Sequence, residues 1–181
     1  MNTYKLTVSY NGCGFLGWQT QVDELKTIQG QINYALRKLA KSDDVKSLGS
    51  GRTDAGVHAL AQVVKIEIPI PIAPDGLLMG INSYVDSQIK VLSVEECPSG
   101  FHPVRDALWK EYCYLFSFGE DSGLPHFNDL KTHFKNKLDI DLMRMACKKF
   151  IGEHDFQNYF TVGTETSTTV RRILHCDIGI N

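Results

Sequence analysis

Residues 48–64, LGSGRTDAGVHALAQVV, place Gly49, Gly51 and Gly56 between two apolar runs. Glycine weakens both helix and strand and reaches φ > 0 without steric cost, so the backbone must break there into a tight loop. At the loop's centre stand Arg52 and Asp54, separated by Thr53. Where the chain is locally extended, residues i and i+2 point the same way, so guanidinium and carboxylate would share one face. A neighbouring cation favours the charged carboxylate, and an ionised Asp in a cleft can act as nucleophile, base or ion-pair partner. Spacing alone leaves two readings open: a structural Arg–Asp pair closing a hairpin, or a reactive carboxylate on a loop.

The chain around this loop can bury a core. Of its 181 residues 43% are hydrophobic, enough for one domain or for one domain and part of another. Its first ten residues, MNTYKLTVSY, alternate polar and apolar, which fits neither a signal peptide nor a membrane span. Five cysteines are scattered without a CxxC or a histidine at metal spacing, so free thiols in a reducing cytoplasm are expected and zinc is not. The net charge of −2 divides evenly, with 9 Lys/Arg against 10 Asp/Glu in residues 1–99 and 10 against 11 in residues 100–181. Composition therefore counts against a nucleic-acid binder, and any basic surface has to come from folding or from a partner subunit.

Read in order, residues 4–10 alternate as a first strand, and a literal GxGxxG follows at 12–17. A dinucleotide site needs a helix opening on those glycines; here Trp18, Gln19 and further polar residues intervene. Ile28, Ile32, Ala35, Leu36 and Leu39 recur at helical spacing, with Thr27 as N-cap, predicting a helix over 27–40. Strands are expected at 45–48 and 62–68. Pro69, Pro71 and Pro74 lead into a helix at 75–84, and a strand at 89–94 follows. The order βαββαβ predicts an α+β, ferredoxin-like unit with the glycine loop between its second and third strands.

A turn-rich stretch, CPSGFHPVRD, puts a boundary between residues 1–98 and 99–181. Beyond it the pattern predicts an aromatic strand at 108–118, a helix at 141–151 and a strand at 168–180. This is the start of a second unit of the same kind that stops unfinished. In the aromatic strand Tyr112 and Tyr114 would share a face. His58, His102 and His154 titrate near neutrality but lie in turn-rich stretches where capping and packing are commoner uses, and no chemistry is assigned to them.

The string GRTDAGVHA at 51–59 resembles, at every position, the catalytic motif of the tRNA pseudouridine synthase A family. YNGCGFLGWQ at 10–19 resembles that family's opening segment, with Asn11 where an Asp is usual. Phe101-His102, GEHDF at 152–156 and Thr168–Arg171 resemble further segments, and Lys110-Glu111-Tyr112-Cys113-Tyr114 resembles an Arg-x-Tyr-x-Tyr segment with Lys for Arg. The resemblance covers essentially the whole chain. It implies an isomerase converting uridine to pseudouridine in the tRNA anticodon stem-loop (tRNA positions 38, 39 and 40), without metal or cofactor. It also implies a cytoplasmic homodimer that does not enter a membrane. Asp54 would be the nucleophile, Arg52 would assist base extrusion or hold a phosphate, and Tyr112 would stack on the target base. Family members continue with further strands, a helix and a basic Arg, so the 181 residues are expected to be a fragment. The rival readings are a non-catalytic RNA-binding protein and an inactive truncated homologue. A bare RNA binder has no use for an Asp in its binding loop, where it repels phosphate. An Asp-nucleophile hydrolase fits the carboxylate but not the Arg-Thr-Asp string.

Overall fold

The computed structural model describes residues 1–119, 125–159 and 168–180. The chain divides into two compact units, Met1–Cys113 and Tyr114–Asn181.

The first unit runs β1 (Asn2–Tyr10), α1 (Ile28–Ala40), β2 (Lys46–Gly49), β3 (Ala59–Ile68), α2 (Pro74–Tyr84) and β4 (Ile89–Glu96). Its strands form one antiparallel sheet in the order β2-β3-β1-β4. Alternation sends Tyr4, Leu6, Val8 and Tyr10 of β1 inward beside Val64, Ile66 and Ile68 of β3, while the intervening residues stay partly exposed. Ile28, Ile32, Ala35 and Leu36 of α1 and Leu77 and Ile81 of α2 complete this core. Both helices thus bury an apolar stripe, as their spacing predicts.

Local signals fix the helix ends. Thr27 caps α1, its side-chain oxygen accepting from the Gly30 amide at 3.1 Å while its hydroxyl donates to the Glu24 carbonyl at 2.7 Å. Thr27→Ala is expected to cost about 1 kcal/mol, the usual value of a lost N-cap, read as a lowered urea midpoint. Pro74 starts α2, where its missing N–H is not needed. The β1–β3 register slips between Val8, opposite Gln62, and Tyr10, opposite Ala59. Such a bulge sharpens the twist of the ladder and re-aims side chains, and this one lies where β3 emerges from the glycine loop.

The second unit contains β5 (Phe116–Phe118), β6 (Thr132–Phe134), α3 (Ile140–Lys148), β7 (Gly152–Asp155) and β8 (Val170–Ile173). β5 pairs with β6 in parallel and β7 with β8 antiparallel. None of its described residues is buried. Aromatic rings meet among its described residues: Phe150 stacks on Phe156, and His154 and Tyr159 meet the Phe156 ring edge-on.

Three expectations change here. The strand expected over 108–118 is confined to Phe116–Phe118, and residues 107–115 take no regular structure. An aromatic run favours a strand only when a neighbour pairs with its backbone and packs on its side chains; Leu108, Trp109 and Tyr112 are instead largely exposed. Helix α3 ends at Lys148 rather than 151, and the last strand covers Val170–Ile173 rather than 168–180. The Thr-rich turn before that strand falls largely outside the described residues.

Candidate active site

The glycine loop is held by the first unit's own opening loop. The Trp18 amide donates to the Thr53 carbonyl at 2.9 Å, and the Thr53 hydroxyl meets the Tyr10 hydroxyl at 2.9 Å. The Gly12 amide donates to Nδ1 of His58 at 3.2 Å, so this histidine pins one loop to the other. Tyr10 and Trp18 are buried with ring centroids 6.2 Å apart, forming the floor under Thr53. Burial pushes the Tyr10 phenol above its ordinary pKa, the hydrogen bond to Thr53 opposing the shift.

The glycines of GxGxxG acquire a role other than phosphate binding. A Cβ on Gly12 would lie 2.1 Å from the Val57 carbonyl oxygen, and one on Gly17 would lie 2.6 Å from that of Thr53. Gly17 also has φ +99°, in the range that side chains rarely adopt. These two residues form a notch that admits the backbone of residues 53–57. α1 opens only at Ile28, eleven residues past Gly17, so the context a dinucleotide site needs is missing. Within the loop, the Val57 amide closes a turn on the Asp54 carbonyl at 3.2 Å, with Gly56 at φ +78° in the turn position that needs positive φ.

Arg52 and Asp54 both lie exposed at the loop's outer edge. Among the described residues no hydrogen bond or ion pair joins their side chains to each other or to anything else. The structural Arg–Asp pair is therefore not formed, and both groups face solvent from a backbone pinned on its inner side. Tyr112 is 87% exposed, in the irregular stretch rather than in a strand. Its neighbour two residues back, Lys110, donates to the Ser50 carbonyl at 2.5 Å.

A sequence model of the tRNA pseudouridine synthase family matches residues 146–180. Proteins named tRNA pseudouridine synthase A from Leuconostoc mesenteroides, Levilactobacillus brevis and Caldicellulosiruptor bescii are 36%, 37% and 36% identical to this chain, over 98%, 96% and 96% of its length. The chain belongs to the tRNA pseudouridine synthase A family. It spans 72%, 65% and 70% of those three relatives.

Sequence reasoning left the supports of this synthase loop unnamed. Gln62 is the clearest case, because it occupies the inward phase of β3 ahead of Val64, Ile66 and Ile68, where alternation calls for an apolar residue. Its amide donates to the Gly51 carbonyl at 2.6 Å and its Oε1 accepts from the Ser50 hydroxyl at 3.2 Å. The out-of-pattern glutamine was the available signal. The histidines set aside in the sequence make packing and capping contacts: Nδ1 of His102 accepts from the Val104 and Arg105 amides at 3.3 Å, and His154 packs on Phe156. No helix among the described residues is long and apolar enough to cross a membrane.

Proposed function

We propose that this chain isomerises uridine to pseudouridine in the anticodon stem-loop of tRNA, at positions 38, 39 and 40, without metal or cofactor. The observation that carries the reading is the family motif on a loop whose inner side is pinned and whose Arg52 and Asp54 side chains are exposed and mutually unpaired. Asp54 attacks the extruded uridine at base or sugar and the glycosidic N1–C1′ bond breaks. The uracil turns in the pocket, C5 bonds to C1′ and the bond to Asp54 breaks, returning the carboxylate, while the C5 hydrogen leaves as a proton to water and N1 takes up a proton. Arg52 fills the space left by the extruded base or holds a phosphate, and Tyr112 stacks on the base. The first unit is read as ferredoxin-like from its βαββαβ order and β2-β3-β1-β4 sheet, and the second as part of a further α/β unit. A cytoplasmic homodimer is proposed with it, and because the chain is evenly charged the basic surface for RNA has to come from how folding and pairing arrange its Lys and Arg side chains.

Release of tritium from C5-labelled uridine in tRNA tests the proposal, because isomerisation displaces that hydrogen and neither RNA binding nor hydrolysis does. Binding of tRNA without release would leave an RNA-binding module in its place. For Tyr112, the leucine variant is expected to lose about 10-fold or more in turnover, the value of one base–aromatic stack, while Tyr112→Phe keeps most of it. Steady-state rates of the two variants decide the point. If phenylalanine is as damaging as leucine, the hydroxyl matters and stacking alone is the wrong account.

A further inference from the structure

The two peptide units immediately before Arg52 have their carbonyls held by side chains from outside the loop. Ser50 extends the β2–β3 ladder by one bond, its amide donating to the Val63 carbonyl at 2.8 Å, and beyond it the chain leaves the sheet. At this exit Nζ of Lys110 takes the Ser50 carbonyl at 2.5 Å, and Nε2 of the buried Gln62 takes that of Gly51 at 2.6 Å. The Ser50 hydroxyl closes the set on Oε1 of Gln62 at 3.2 Å. Lys110 and Gln62 flank Gly51, lying 3.7 and 3.9 Å from where its Cβ would be.

We propose that Lys110 and Gln62 are positioning residues, clamping the exit of β2 so that Arg52 and Asp54 are presented in one geometry and Tyr112 is held beside them. The inference rests on the functional reading above. Gln62 acts from the core side, where a side chain with both ends bonded has little freedom. Lys110 acts from the exposed side through a charge-assisted bond, and spans 60 residues of sequence to do so. The irregular stretch bearing Tyr112 has no strand or helix to fix it, so the Lys110 bond is its tether to the loop. Reaction geometry is demanding: a displacement of about 1 Å costs on the order of 100-fold in rate.

The competing role for an exposed lysine here is a tRNA phosphate contact, and kinetics separate the two. Tritium release would be measured for Lys110→Met, Lys110→Arg and Gln62→Met, with amide hydrogen exchange at Ser50 and Val57. The clamp predicts that Lys110→Met and Gln62→Met lower kcat by about 10- to 100-fold with KM little changed. Lys110→Arg, which still donates to a carbonyl, should restore most of the rate, and exchange at Ser50 should quicken in both methionine variants. Lys110→Met is an exposed change that leaves the core intact, so its result does not depend on how well Gln62→Met folds. A raised KM with unchanged kcat and a flattened salt dependence would overturn the clamp in favour of a phosphate contact. Unchanged exchange would overturn it as well. If the unsubstituted protein released no tritium, the functional reading would fail, and exchange at Ser50 would still decide whether the clamp exists.

Discussion

Asp54→Asn is expected to abolish tritium release while leaving the fold untouched. In the mechanism proposed above, loss of the nucleophile costs on the order of 10³-fold or more, because the side-chain amide cannot form the covalent intermediate. Stability should change by no more than about 0.5 kcal/mol, since the side chain is exposed and makes no bond that the substitution removes. The hydrogen bond Asp54 gives the loop, acceptance from the Val57 amide, belongs to its backbone carbonyl and survives. The measurement is a pair: C5-tritium release from tRNA and a urea unfolding curve. Release retained at the parent rate would remove Asp54 from the chemistry, and a fall in the unfolding midpoint would mean that its side chain supports the loop.

Gly12→Ala and Gly17→Ala are expected to destabilise the first unit by about 2–4 kcal/mol each, from overpacking and, at Gly17, backbone strain. In both cases the obstacle is backbone. The Gly12 Cβ would also come within 2.6 Å of the Val57 carbonyl carbon, and the Gly17 Cβ within 3.1 Å of that of Asp54. No rotamer relieves such contacts, so the loop has to move outward, taking Arg52 and Asp54 with it. Turnover should therefore fall in both variants even below the temperature at which they unfold. Gly14 supplies the internal control. It has φ +83° but nothing within 4 Å of its Cβ, so alanine there costs only the conformational term, about 1–2 kcal/mol, and leaves the loop in place. Activity lost equally in all three variants would mean that the notch is not what holds the loop.

Local physics made the first unit legible. The period-2 alternation of β1 and β3, the helical spacing of α1 with its Thr27 cap, and Pro74 at the start of α2 each depend on neighbours a few residues away. The observed bounds lie within a few residues of those expected. The GRTDAGVHA string placed the loop, and with it the family. Further along the same reasoning overreached, because the aromatic run at 108–118 has strand composition but among the described residues pairs only at Phe116–Phe118, and composition cannot supply a partner. The interior of the site lay out of reach for the same reason. Arg52 and Asp54 could have been a closed ion pair on spacing alone. They are not, because Trp18 and Tyr10 hold Thr53 from below and His58 is drawn to Gly12, contacts spanning more than 30 residues of sequence. A literal GxGxxG reads as a phosphate cradle until the fold brings residues 53–57 into the space its glycines leave open. Gln62 and Lys110 were visible only as an ill-placed polar residue and a departure from a motif. Their function depends on which carbonyls the folded chain sets before them, and sequence order does not carry that distance.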